Sequence, residues 1–154
     1  LVMSETKAKE LGLTPIGFLR AYAYAGLEPH RMGLGPIYST AKVLDRSGMT
    51  MSDIELVELN EAFAAQAIAN LRAFDSDEFA ARYFGRHHKI GAIDPDILNV
   101  NGGAIALGHP LGCSGVRLLV TLMNVMDQKS TSLGLATMCI GSGQGIATVI
   151  EKVS

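Results

Sequence analysis

The sequence predicts an α/β fold in which a mixed sheet carries helices on both faces and one helix is fully buried. Three observations lead there. Segments with strand-like alternation, or continuous apolar runs, take turns along the chain with segments of helical periodicity. The stretch Ser114 to Met126 places Val116, Leu118, Leu119, Val120, Leu122, Met123, Val125 and Met126 all round a helix whose only charge is Arg117. A helix apolar on every side needs a layer above it and a layer below. With 154 residues, 48% of them hydrophobic and 18% charged, the chain suits one compact domain, residues 1–154, that buries roughly 70% of its unfolded surface.

Each element follows from local signals. Ser4 is placed to N-cap a short helix running to Leu11, which Gly12 closes. From Ile16 to Leu27 the chain alternates, with Ile16, Phe18, Tyr22 and Tyr24 on one side of a strand. Gly33-Leu34-Gly35-Pro36 is a turn, and Pro36 opens a helix from Ile37 to Ser47 with Ile37, Ala41 and Leu44 on its inner face. A strand at 54–59 runs directly into a helix from Asn60 to Phe74. Asp75 to Asp96 is a polar excursion containing a short helix, anchored by Phe79, Tyr83 and Phe84. A brief strand from Leu98 to Asn101 precedes the loop Gly102 to Gly115. After the apolar helix come a buried strand, Gly134 to Ile140, and a last strand from Ile146 to Val153, in a C-terminus that ends Glu151-Lys152-Val153-Ser154.

Composition narrows the function. A formal charge of −2, without blocks of like charge, gives no reason to expect nucleic acid or an anionic membrane as partner. The uncharged stretch Leu133 to Ile150 is broken by glycines and hydroxyls, and reads as two strands and a loop, not a membrane span. The two cysteines, Cys113 and Cys139, form no CxxC pair, which argues against a disulfide scaffold or a thiolate zinc site and suits a reducing compartment. No secretory, prenyl or peroxisomal signal is visible, so a cytoplasmic or organelle-matrix location is expected. Without Met at position 1, the chain reads as one cut from something longer.

Three constellations carry chemistry. The first is Asn60-Glu61-Ala62-Phe63 at a strand-to-helix junction. Asn60 reads as an N-cap; at the carboxyl end of a strand its amide can also hold a water or a carbonyl oxygen. The second, Gly102 to Gly115, holds His109 between Gly108 and Pro110, just before the apolar helix. No Gly-Lys-Ser/Thr follows, so it is no phosphate loop. A lone loop histidine is usually structural, but the proline and the helix behind it would fix this imidazole in a cleft. His109 and Cys113 lack the further ligands of a metal site. The third is Cys139-Ile140-Gly141-Ser142-Gly143-Gln144-Gly145, a thiol at the end of a strand that opens into a glycine turn. Buried cysteine is ordinarily a small hydrophobe. A thiol with a pKa of about 8.5 can also exchange protons near neutrality, and Gly141 can present an unshielded N–H to an oxyanion.

In this order, the three segments resemble the C-terminal signatures of the thiolase family, and the opening through Met32-Gly33-Leu34-Gly35-Pro36 is similar to the start of the same half. The resemblance spans essentially the whole chain. It implies two similar halves, each a mixed sheet with helices, stacked around a helical middle layer that would bury the 114–126 helix. It implies thiolysis of 3-ketoacyl-CoA or the reverse Claisen condensation, with coenzyme A thioesters as substrates and no cofactor or metal. The nucleophilic cysteine would belong to the missing N-terminal half. His109 would deprotonate that nucleophile, Cys139 would be the acid/base, and Asn60 would hold a water that forms one oxyanion hole with His109. Gly141 would offer its N–H to a second hole, while Ala62, Phe63 and Met32 would line the acyl and pantetheine channel. The resemblance further implies a homodimer or homotetramer in the full protein.

Some features depart from the pattern. Ser142 stands where many thiolases have glycine, and Cys113 occupies a small-residue position and reads as packing. The excursion Asp75 to Asp96 is longer than in compact acetoacetyl-CoA thiolases and resembles the fatty-acid-oxidation type. The competing readings are a non-catalytic acyl-CoA-binding or interaction module, a ketoacyl synthase relative, which would carry a second histidine at Cys139, and a Cys–His hydrolase.

Overall fold

The computed structural model describes residues 1–153; Ser154, expected in the C-terminal strand segment, lies outside them. Four strands form one mixed sheet in the order β1-β4-β3-β2. They are β1 (Gly17–Gly26), β2 (Leu56–Leu59), β3 (Leu133–Ile140) and β4 (Gln144–Lys152). β1 and β3 flank β4 antiparallel, and β2 pairs with β3 parallel.

Side-chain alternation assigns each strand residue to a layer. On one face, β-residues Ala23, Val57, Leu59, Leu135, Ala147 and Val149 pack with Ile37, Val43 and Leu44 of helix α2 (Gly35–Ser47) and Phe74 of helix α3 (Ala64–Phe74). On the other, Leu56, Ala136 and Ile150 meet Leu118, Leu122, Val125 and Met126 of helix α6 (Ser114–Lys129). Helices therefore lie on both faces, as expected. The first helix, α1 (Glu5–Glu10), is capped by Ser4, whose Oγ accepts from the Lys7 N–H at 3.2 Å. The excursion forms helix α4 (Asp77–Phe84), and its Phe79, Tyr83 and Phe84 gather around Tyr38 of α2.

Three expectations change. Helix α6 is buried along one stripe only: Val116 on its outer side is 65% exposed, and Val120 is exposed too. The described residues supply one layer beneath the helix and none above it. Leu98 to Asn101 is not a strand but a single parallel bridge, Val57 to Leu98. Asn99 replaces the ladder there. With φ at +44°, its side-chain Oδ1 accepts from Leu59 N–H at 2.8 Å and its Nδ2 donates to Leu59 C=O at 2.9 Å. Last, the loop Gly102 to Gly115 contains a one-turn helix, α5 (Ala104–Leu107).

The β3–β4 turn is closed against the segment leading into α2. Leu27 N–H donates to Gly143 C=O at 2.8 Å, and Gly35 and Gly145 approach so closely that a Cβ on either would collide with the other's backbone. Glycine at this pair of positions is a packing requirement. The contact brings the carboxyl end of β3 and the 3-10 helix Pro29–Leu34 to the same end of the sheet.

Candidate active site

That end of the sheet collects the predicted residues. Asn60 follows β2, and its N–H donates to Thr137 C=O of β3 at 3.0 Å, so it extends the parallel ladder. It does not cap α3, which starts at Ala64 with Phe63 in the cap position. Correcting that expectation frees the amide: Asn60 is fully buried, and its Nδ2 lies 3.4 Å from His109 Nε2. Its Oδ1 has no partner among the described residues, an unmet acceptor at a buried position.

The other imidazole nitrogen is held more tightly. His109 Nδ1 lies 2.6 Å from Ser114 Oγ, and that hydroxyl donates to Pro110 C=O at 3.2 Å. The Pro110 carbonyl can only accept, so directing the serine proton to it assigns Nδ1–H as the donor to Oγ. The Nε2 lone pair then faces Asn60, which fixes the tautomer that can accept a proton. Ser114 opens α6 and is fully buried. Sequence reasoning passed over it, since a serine opening a helix reads as a capping residue.

Glu61 is a second contributor whose role the motif alone did not reveal. Its Oε1 accepts from Asn99 Nδ2 at 3.1 Å and its Oε2 from Ile105 N–H at 3.1 Å, tying the loop that carries His109 to the end of β2. Asn99 thus joins the strand and the loop. Glu58, on the α6 face of β2, is 3% exposed, and burial with the nearby Glu61 charge pushes its carboxyl up to about 7 against the opposing pull of Arg117.

Cys139 is the next-to-last residue of β3, 7% exposed, and burial pushes its thiol above the usual range. It is therefore protonated at neutral pH. Gly141 lies exposed in the turn beyond it, with open space around it. Ala62 is half-buried and Phe63 exposed at the start of α3, and Met32 is half-buried in the 3-10 helix. Cys113, expected to pack, is exposed, because it stands before α6 on the side that no layer covers.

The thiolase family's C-terminal domain model matches residues 13–152. This chain belongs to the thiolase family. It is 54% identical over 155 residues to a 3-ketoacyl-CoA thiolase of Marinomonas sp. (strain MWYL1), covering 99% of this chain and 36% of that protein. A 3-ketoacyl-CoA thiolase of Psychrobacter cryohalolentis is 52% identical over 153 residues, with 99% and 35% covered. Among solved structures, human mitochondrial 3-ketoacyl-CoA thiolase superposes with a TM-score of 0.84 at 37% identity, over 97% of this chain and 34% of that one. The acetyl-CoA acetyltransferase of Bacillus anthracis gives 0.83 at 37% identity, over 98% and 34%. The thiolase chain described here thus spans about a third of the length of the curated relatives it matches.

Proposed function

We propose that this chain supplies the general-base, acid and oxyanion-binding side of a 3-ketoacyl-CoA thiolase active site, completed by a nucleophilic cysteine from the N-terminal portion its relatives carry. The observation that supports this best is the Asn60–His109–Ser114 chain, which leaves Nε2 as a proton acceptor at the sheet end where the buried Cys139 thiol also lies.

In thiolysis, His109 Nε2 takes the nucleophile's proton, and the thiolate attacks the 3-keto carbon of a 3-ketoacyl-CoA. The C2–C3 bond breaks and leaves an acyl-enzyme and an acetyl-CoA enolate. Cys139 Sγ–H protonates that enolate, a role suited to a thiol that burial keeps protonated. Coenzyme A then gives its thiol proton to the Cys139 thiolate and attacks the acyl-enzyme, forming the new acyl-CoA and releasing the nucleophile as a thiolate that takes its proton back from His109; condensation runs these steps backwards. Each oxyanion needs donors set in advance, worth about 3–4 kcal/mol apiece. A water held by Asn60, together with His109, serves one, and the Gly141 N–H serves the other. Ala62, Phe63 and Met32 line the acyl and pantetheine channel. The substrates are coenzyme A thioesters, and no cofactor takes part. The assembled enzyme is a homodimer or homotetramer of the cytoplasm or an organelle matrix.

Acetoacetyl-CoA thiolysis by this chain, alone and mixed with the N-terminal portion of the Marinomonas relative, tests the reading. Activity in the mixture only, abolished by His109→Ala or Cys139→Ala, is the expected result. Association without turnover would favour the acyl-CoA-binding module, and turnover by the chain alone would overturn the need for an external nucleophile.

A further inference from the structure

The 3-10 helix Pro29–Leu34 is fixed from two directions, and Met32 lies between the fixings. On one side, Asn70 of α3 donates from Nδ2 to Gly33 C=O at 2.7 Å and accepts the Ile37 N–H on Oδ1 at 3.1 Å. Gly33 leaves no room for slack, since a Cβ there would lie 2.8 Å from Gln66 Cγ. On the other side, the Arg31 guanidinium lies over the Tyr83 ring of α4, with Cζ 4.4 Å from its centroid. The Arg31 side chain is only 22% exposed, and a cation–π contact is strongest where water is excluded. Tyr83 is itself held: its ring packs 4.5 Å from Phe79 and 6.2 Å from Tyr38, between centroids. The first fixing belongs to the sheet-packed part of the fold. The second adds the excursion Asp75 to Asp96, whose Tyr83 supplies the aromatic face, to the contacts Arg31 makes with Glu28 at 3.5 Å and with Tyr38 of α2.

We propose that the Arg31–Tyr83 stack makes α4 a positioning element for Met32, so that this excursion governs which acyl chains the site accepts. The proposal rests on the reading above, in which Met32 lines the acyl channel. Arg31 and Tyr83 are positioning residues and touch no reacting atom. If one flank of the 3-10 helix is released, the Asn70 side stays in place and Met32 moves at the channel wall. Recognition of the acyl tail then suffers before the chemistry at the thioester does. A planar guanidinium on an aromatic face explains why these two residue types are used, because lysine offers no flat surface to stack.

Two measurements test this. The first uses this chain, labelled with methyl-13C methionine, the Met32 signal being assigned by its loss in Met32→Leu. Tyr83→Ala and Arg31→Lys are expected to shift or broaden the Met32 methyl while leaving that of the core residue Met126 in place; Tyr83→Phe, which keeps the ring, is expected to restore it. An unmoved Met32 methyl in Arg31→Lys and Tyr83→Ala chains of native circular dichroism overturns the proposal. The second compares 3-ketooctanoyl-CoA with acetoacetyl-CoA in the assembly with the relative's N-terminal portion. Tyr83→Ala is expected to lower kcat/KM for the longer substrate about tenfold relative to the shorter, through KM, with kcat on acetoacetyl-CoA within about twofold. An equal loss on both substrates, or none, overturns the proposal and leaves the thiolase reading standing. An inactive parental assembly removes that reading, and this proposal with it.

Discussion

Ser114 Oγ and His109 Nδ1 stand 2.6 Å apart, across a loop that turns back on itself so that the first residue of α6 meets the imidazole. The contact decides which nitrogen carries the proton. Removing the hydroxyl in Ser114→Ala leaves Nδ1 without its acceptor and the ring free to change tautomer. The expected outcome is a ten- to hundredfold loss of kcat in the assembled enzyme, below the roughly 10²–10⁴ of a whole acid–base group. Stability should fall by about 1 kcal/mol. Imidazole 15N shifts in this chain check the cause directly. A wild-type Nε2–H tautomer would contradict the assignment.

Much of this was legible in the residues, and the exceptions share one cause. β1, α2, β3 and β4 fall close to where period and turn residues place them, because each depends on its own side chains and one neighbouring layer. Asn60 misled as a cap because an asparagine before a helix is a local signal, whereas its real partner is Thr137 C=O on a strand far along the chain. Asn99 hid for a similar reason: its side chain imitates a strand, which no local pattern discloses. The outer side of α6 reads as buried by composition, yet Val116 meets no layer among the described residues. Local chemistry was readable; long-range pairing was not.

Asn99 offers a stability test of that hidden ladder. Asn99→Ala loses two bonds to the Leu59 backbone and one to Glu61, and puts alanine at φ +44°. Two backbone groups buried without partners cost about 1–3 kcal/mol each, so a loss on the order of 3 kcal/mol is expected in urea unfolding. Asn99→Gly relieves the backbone but not the bonds, and should recover about 1 kcal/mol of it.

Ser142 tests the glycine turn in the opposite direction. Its φ of +68° is left-handed, a region that costs an L-residue roughly 1–2 kcal/mol. Ser142→Gly should therefore stabilise the chain by about 1 kcal/mol, the extra freedom of glycine in the unfolded state offsetting part of the gain. A lowered urea midpoint would show that the serine hydroxyl compensates for the strain.

The two thiols should separate cleanly under alkylation. Cys113 is exposed and Cys139 buried, with burial holding the Cys139 thiol protonated. Iodoacetamide reacts with the thiolate, so at pH 7 Cys113 should be modified first by a wide margin. The Cys139 rate should keep climbing as pH rises beyond 9. Peptide mapping of the adducts distinguishes them, and equal rates at pH 7 would mean that Cys139 is neither shielded nor raised.

Glu58 makes stability depend on pH, with a definite sign. Its folded pKa of about 7 stands above the ordinary 4.5, so between those values the folded chain binds more protons than the unfolded one. Stability is then fullest below pH 4.5 as far as this group is concerned, and falls as pH rises towards 7. Above pH 7 the carboxylate is charged in both states, and the penalty of burying it near Glu61 is complete. Glu58→Gln keeps the shape and removes the charge. At pH 8 it should be more stable than the parent by on the order of 2 kcal/mol, and at pH 4.5 nearly equal to it. Urea midpoints measured at both pH values decide the matter: a variant that is destabilised at pH 8 would mean that Arg117 makes the buried carboxylate favourable after all.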